Sequence, residues 1–355
     1  MKALLLSEYS KLDLAELPMP EVGPDDVLVR VAACGICGSD VHGYDGSSGR
    51  RIPPLVMGHE AAGVVAAVGA AVSRFAVGDR VTFDSTVYCG QCDYCRKGEI
   101  NLCDNRQVVG VSTPDFRRAG AFAEYVTVPE RIVYKLPDAM TFPEAAMLEA
   151  VSVALHGVAV SDLKGGETAL VIGAGMIGLL ILQAAKAAGC SRVFVADVDA
   201  SRLQLAAASG ADSTILASGA VMVEQVLRAT GGRGVDVVLE AVGRDETVSA
   251  AVDAVRKGGT VTLVGNITPN VTLPLQKVVS RQIRLQGSCA SAGEYPQAME
   301  LIAAGKIQVT PLITAVAPLE EGARWFERLH AREPNLMKIV IDPSLSYDSL
   351  AGAIR

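Results

Sequence analysis

The chain has 355 residues, which at about 150 residues per domain allows two or three domains, each with a core of its own. Hydrophobic residues make up 50% and charged residues 20%, a globular composition that excludes a disordered or fibrous chain. Lysine plus arginine at 32 against aspartate plus glutamate at 39 leaves a net charge of -7, which argues against a protein that coats nucleic acid or an anionic membrane.

At the N-terminus, Met1-Lys2-Ala3-Leu4-Leu5-Leu6 gives way to Ser7, Glu8 and Tyr9, too short an apolar run for a secretory signal. No uninterrupted apolar run reaches the roughly 18 residues of a membrane span, because Glu149, His156 or Lys186 cuts the longest candidates. A soluble, cytoplasmic protein without nucleic-acid or membrane partners is expected. Strand candidates at 27–31, 64–68 and 80–83 follow, punctuated by Gly58, Gly63, Gly69 and Gly78. A cysteine-rich lobe comes next, then a strand candidate at 121–128. Ala-rich helical sequence begins near Phe142-Pro143-Glu144.

From about 151 to 264, apolar runs alternate with helices. The runs are 169–172, 193–196, 236–240 and 260–264, with a helix over 176–188 and another from Ser201. That alternation predicts a parallel, doubly wound sheet. Helices over 296–304 and 319–330 and a strand over 337–341 close the chain.

Within the alternating stretch, Gly173-Ala174-Gly175-Met176-Ile177-Gly178 is a G-x-G-x-x-G between an apolar strand and a helix. The first glycine allows a tight turn, the second lets the backbone approach a pyrophosphate, and the third permits close helix–strand packing. Free N–H groups at the helix start would hold phosphate oxygens. Asp197, closing the next apolar run, can bond an adenosine ribose diol and would repel a 2′-phosphate, which selects NAD over NADP. Arg202 is a nearby cation that can stack on adenine or tolerate that phosphate. The rival reading of a glycine turn with an acid is a methyltransferase of similar fold; the metal-ligating residues weigh against it.

The eight cysteines need a reason other than disulfides in a reducing compartment. Cys89, Cys92, Cys95 and Cys103 form C-x₂-C-x₂-C-x₇-C, a spacing that wraps a closed, tetrahedral structural zinc. An iron–sulfur cluster and a nucleic-acid zinc ribbon are weaker readings, the second because Asp93, Glu99 and Asp104 offset Arg96 and Lys97. The other set is Cys34-Gly35-Ile36-Cys37-Gly38-Ser39-Asp40-Val41-His42 with Gly58-His59-Glu60. Thiolate, imidazole and carboxylate together are the mixed ligands with which a catalytic zinc keeps an open position.

These motifs, with Leu148-Glu149-Ala150-Val151-Ser152-Val153 and the glycine fingerprint in the same order, resemble the zinc-dependent medium-chain dehydrogenase/reductases, within them the sorbitol (iditol) and threonine dehydrogenase branch. The resemblance spans nearly the whole chain. It implies an α/β fold: a GroES-like, β-rich catalytic domain at 1–150 and 290–355, with a structural zinc lobe at about 85–106, and a Rossmann NAD-binding domain at 151–289. It implies two zinc ions per chain. Cys37, His59 and Glu60 would hold the catalytic one, Glu149 would be a fourth ligand or the partner of its water, and Asp40 would orient a ligand from behind. Cys34 matches no ligand of the family and reads, like Cys190, as packing. Ile177 would meet the pyrophosphate, and Val264, Gly265, Asn266 and Cys289 would line the nicotinamide. A dimer or tetramer of the chain is expected.

On this reading the zinc acidifies a carbinol hydroxyl so that hydride can leave to NAD, and a relay from Ser39 through the nicotinamide ribose to His42 carries the proton out. The substrate is expected to be a secondary alcohol or polyol, including a sugar alcohol or its phosphate. Sorbitol dehydrogenases carry an Arg-Tyr pair where this chain has Ala290-Ser291, and an aromatic residue where Gly43 stands. Tyr44 matches the threonine dehydrogenase pattern, yet that branch lacks the acid at Glu149. The alternatives are a threonine or diol dehydrogenase and, in another class, a non-catalytic protein that binds NAD and zinc.

Overall fold

The computed structural model describes residues 1–113 and 116–345; the last ten residues of the expected C-terminal return, 346–355, lie outside the described residues. The chain divides into two compact units: Met1–Glu149 with Tyr295–Met299 and Val309–Arg355, and Ala150–Glu294 with Glu300–Gln308.

The first unit is β-rich. Its largest sheet has seven strands: Val133–Lys135, Arg80–Phe83, Glu60–Val68, Asp26–Gly35, Lys338–Asp342 and Ile313–Pro318 lie in that spatial order, and Tyr125–Pro129 also pairs with Asp26–Gly35. The late strand Lys338–Asp342 runs antiparallel to the end of Asp26–Gly35, pairing Val340 with Gly35 and Ile341 with Cys34. A second sheet joins Lys11–Glu16, Lys2–Glu8 and Leu55–Val56. Leu4, Leu6, Met57, Phe83, Phe122, Ile132 and Phe326 form the buried core beneath, whose removal from water is the main favourable term in folding.

The expected strand at 121–128 begins later, at Tyr125. Its first residues are bound elsewhere: Ala121 and Phe122 donate to the carbonyls of Gly58 and Met57 at 2.8 and 2.9 Å, and the Phe122 carbonyl accepts from Leu4 at 2.8 Å. The helix expected over 319–330 opens instead as a 3₁₀ turn, Leu319–Glu321, and becomes α-helical at Gly322–His330. Pro318 precedes this turn with extended backbone, which its fixed ring favours.

The second unit is a six-stranded parallel sheet in the order Ser213–Leu216, Arg192–Asp197, Thr168–Ile172, Val235–Glu240, Val255–Leu263, Arg284–Gly287. By chain position that order is 3-2-1-4-5-6, the doubly wound arrangement of dinucleotide-binding sheets. Its central strands are apolar along their length; Ala169, Leu170, Val171 and Ile172 are all buried, as expected where helices cover both faces. Helix Met176–Ala187 is mostly Leu, Ile, Ala and Met, whose buried face packs well and whose helix propensities suffice. Among the described residues no helix is long and apolar enough to cross a membrane.

Candidate active site: two ligand clusters and a glycine-rich turn

In the β-rich unit, Cys37 caps the short helix Gly38–Tyr44, and the Asp40 carboxylate accepts from the Cys37 amide at 3.4 Å. His59 and Glu60 stand at the entrance of strand Glu60–Val68. Gly58 before them has φ +94, and a Cβ there would lie 2.8 Å from the Phe122 amide nitrogen and 2.9 Å from the Cys34 sulfur, so only glycine permits this turn. The ligand atoms of Cys37, His59 and Glu60 lie within 4.8 Å of one another. A sulfur, a nitrogen and an oxygen are the ligand types of an open zinc site, and this spacing admits metal–ligand bonds of about 2.0–2.3 Å each.

The surroundings are strongly charged. His59 Nδ1 lies 3.4 Å from Asp40 Oδ1. Burial alone would lower the His59 pKa, but Asp40 and Cys37 hold it well above the usual histidine range. Burial would likewise raise Asp40, yet His59 and Arg51 bring it down to about 2. The Asp40 carboxylate and the Cys37 sulfur around His59 make this pocket electronegative, which favours a cation there. Lys338 Nζ, buried on the C-terminal strand, meets Glu60 Oε2 at 2.5 Å and donates to the Ile36 carbonyl at 3.2 Å. Glu149 stands outside the trio; Ser85 Oγ donates to its Oε1 at 3.2 Å. Burial pushes its carboxyl up, with Glu60 adding to the rise and His59 and Lys338 opposing it.

Ser39 and His42 sit three residues apart on helix Gly38–Tyr44, so their side chains share one side of it. His42 is exposed. Tyr44 points elsewhere: its ring is packed 5.8 Å from that of Phe326, and its hydroxyl donates to the Ser10 carbonyl at 2.7 Å. The likeness to the threonine dehydrogenase pattern at Tyr44 therefore coincides with a core residue.

The sulfurs of Cys89, Cys92, Cys95 and Cys103 also lie within 4.8 Å of one another. Cys89 and Cys95 are 3.9 Å apart, and Cys92 and Cys95 3.5 Å, close to the edge of about 3.8 Å that a tetrahedron of 2.3 Å Zn–S bonds requires. Backbone N–H groups of Gln91 and Cys92 donate to the Cys89 sulfur at 3.4 Å and bring its pKa down to about 6. Those bonds favour the thiolate that a metal needs. Cys34 and Cys190 are buried thiols whose burial pushes their pKa values up, to about 11 for Cys190, as inert packing residues behave.

In the parallel-sheet unit the register aligns the carboxyl ends of the strands. Ile172 is paired with Ala196 and Glu240, Glu240 with Leu263, and Leu263 with Gly287. Gly173, Asp197, Val264, Gly265 and Asn266 thus stand at one end of the sheet, where such folds bind ligands. Gly173 has φ +96, and a Cβ on Gly178 would lie 1.7 Å from the Gly173 carbonyl oxygen. Nothing would meet a Cβ on Gly175 within 4 Å; its side faces open space that a pyrophosphate could take. Helix Met176–Ala187, with Ile177 in its first turn, has no side-chain cap, leaving its first N–H groups to a ligand. Asp197 accepts from the amides of Ala174 at 2.6 Å and Asp199 at 2.9 Å. Arg202 lies toward Asp199, at 3.8 Å, and is exposed. Cys289 follows the edge strand Arg284–Gly287, half-buried. Ala290 after it has φ +50, and Ser291 is buried.

Several participants carry no motif. Arg51, Ser85 and Lys338 touch Asp40, Glu149 and Glu60, respectively. Glu240, fully buried, accepts from the amides of Val242 and Gly243 at 2.9 Å and shapes the wall beside Gly173, whose Cβ would meet Val242 at 2.7 Å. Its only sequence signal is an acid ending an apolar β-branched run.

The family model described as the alcohol dehydrogenase GroES-like domain matches residues 23–138, and that of the zinc-binding dehydrogenase matches 177–304. The chain is 34% identical over 348 residues to a sorbitol dehydrogenase of Bacillus subtilis (strain 168), covering 97% of this chain and 98% of the relative. It is 36% identical over 338 residues to the D-xylulose reductase A of Aspergillus niger, covering 93% of each. Among solved structures, a zinc-binding dehydrogenase from Sinorhizobium meliloti 1021 bound to NADP superposes with a TM-score of 0.86 at 33% identity, covering 96% of this chain and 99% of that one.

Proposed function

The chain belongs to the zinc-dependent medium-chain dehydrogenase/reductases, oxidoreductases that join a GroES-like domain to a Rossmann-type domain, and we propose that it oxidises a secondary alcohol or polyol to the ketone, reversibly, with NAD as hydride acceptor. The observation that carries this reading is the convergence of Cys37, His59 and Glu60 from two separate motifs into one mixed ligand set. The sorbitol dehydrogenase and D-xylulose reductase relatives favour a polyol and its ketose over threonine or a simple diol.

Zinc held by that trio supplies Lewis-acid polarisation of a carbinol or carbonyl oxygen, and NAD supplies the hydride acceptor. Glu149 serves as a fourth ligand or as the partner of a water beside the trio, oriented by Ser85. Ser39 Oγ takes the carbinol proton, and the exposed His42 imidazole delivers it to solvent. Cys89, Cys92, Cys95 and Cys103 hold a second, structural zinc. Gly173, Gly175, Ile177 and Gly178 hold the pyrophosphate, Asp197 the ribose diol and Arg202 the adenine side, while Val264, Gly265, Asn266 and Cys289 line the nicotinamide.

The catalytic domain is assigned to 1–150 and 290–355 and the NAD-binding domain to 151–289. A cytoplasmic location belongs to this reading, since cysteines at metal-ligand spacing suit a reducing compartment. Assembly into a dimer or tetramer is supported by the edge strand Arg284–Gly287, paired on one side, and by Leu275 and Val279 at 62% and 71% exposure on the helix before it.

A scan of sugar alcohols, diols and threonine with NAD and NADP, before and after chelation, tests the reading. Reduced cofactor is expected from polyols with NAD, and its loss on chelation. Absence of reduced cofactor with every substrate in zinc-loaded protein would leave only a non-catalytic binding protein.

A further inference from the structure

Arg51 has no place in the ligand motifs, yet its side chain is only 4% exposed and reaches the site. Its Nη2 donates to Ser39 Oγ at 3.1 Å and to Asp40 Oδ1 at 3.0 Å, and its Nε donates to the same Asp40 oxygen at 3.2 Å. Asp40 Oδ1 in turn lies 3.4 Å from His59 Nδ1. The stem passes over Gly43: a Cβ at that position would lie 2.0 Å from Arg51 Cγ and 2.7 Å from its Cβ. Glycine at 43 and arginine at 51 are therefore one device, the first vacating the volume that the second crosses.

We propose that Arg51 is a positioning residue that fixes the direction in which the Ser39 hydroxyl passes a proton. The inference rests on the relay reading of Ser39. A guanidinium has donors only and stays protonated at any working pH, so toward Arg51 the Ser39 oxygen can only accept. A hydroxyl has two lone pairs and one O–H. With one lone pair taken, a single lone pair and a single proton remain. The substrate hydroxyl must donate into that lone pair, and the serine proton must leave to the next acceptor. One proton enters Ser39 and one departs, so the hydroxyl ends as it began. Without Arg51 the Ser39 proton could turn toward the Asp40 carboxylate, which is fully buried.

The test compares Arg51→Met, Ser39→Ala and the double variant as zinc-loaded protein, reading kcat, KM for NAD, the solvent isotope effect, zinc per chain and the visible spectrum after cobalt substitution. Arg51→Met is expected to lower kcat by about 10- to 100-fold, to raise the solvent isotope effect, and to leave KM for NAD, zinc content and the cobalt bands in place. The double variant should lose no more than Ser39→Ala alone, because both act through one hydroxyl. Full activity in Arg51→Met, additive losses in the double variant, or loss of zinc with shifted cobalt bands would each overturn the role. Full activity in Ser39→Ala would instead remove the relay itself, and the role of Arg51 with it. Should Arg51→Met not fold, Gly43→Ala, whose Cβ displaces the same stem, is expected to reproduce the fall in kcat with zinc retained; unchanged kcat there overturns the proposal.

Discussion

Asp197, proposed to bind the ribose diol, has a second task for its carboxylate. In the protein alone its oxygens accept from the amides of Ala174 and Asp199, which fixes the glycine turn against the end of its own strand. Two oxygens offer about four acceptor positions, so a ribose diol can still be bound. Replacing Asp197 with Ala should cost NAD about 1.5–3 kcal/mol, tenfold or more in Kd, with a smaller loss for NADP. Titration calorimetry with both cofactors checks this, and an unchanged preference would remove the cofactor argument. At this scale the site was legible where chemistry confines the choice of residue: cysteine, histidine and glutamate at ligand spacing, and glycines before a helix. Lys338 was not legible, because it lies 278 residues from Glu60 in the chain and nothing local marks a lysine that will be buried. Arg51 was hidden for a related reason, since its signal is the missing side chain at Gly43.

The elements of the parallel sheet are tied at their amino ends by Asp236. It accepts from the Thr168 amide and hydroxyl at 2.9 and 2.8 Å, from Arg256 Nε at 2.6 Å, and from Arg233, which links strands Thr168–Ile172, Val235–Glu240 and Val255–Leu263. Burial would raise this carboxyl, but those donors hold it far below the usual carboxylate range. A carboxylate depressed by folding contributes stability that is present above its unfolded pKa of about 4 and is lost as pH falls toward the folded value. Asp236→Asn should therefore lower Tm at neutral pH, and the gap from the parent should narrow as pH drops below about 4; a gap independent of pH would contradict this. Apolar runs made these strands readable in the sequence. The edge strand Ser213–Leu216, with one of four residues buried, and Ile313–Pro318, whose first four residues alternate half-buried and exposed, carried too little apolar pattern to be read, and Lys2–Glu8 was readable only as a short apolar start.

For the whole molecule, the consequence of the fold is that residues from both ends of the chain meet at one candidate metal site. Strand Lys338–Asp342 delivers Lys338 to Glu60, so the late strand completes a site whose candidate ligands lie in the first 60 residues. Lys338→Met would leave Glu60 buried with its nearest cation gone, a change that typically costs about 3–5 kcal/mol; bound zinc should recover part of it, so the fall in Tm is expected to be larger after chelation than before. Sequence pattern reached the class of this unit and its metal chemistry. It could not reach the partners that long-range pairing brings in. The central claim, that an open zinc set drives alcohol oxidation, is tested most directly by measuring zinc per chain and NADH formation together in Cys37→Ser. The account predicts the loss of one zinc and of turnover with a polyol, while the zinc of Cys89, Cys92, Cys95 and Cys103 stays. Turnover that persists after that zinc is lost would contradict it.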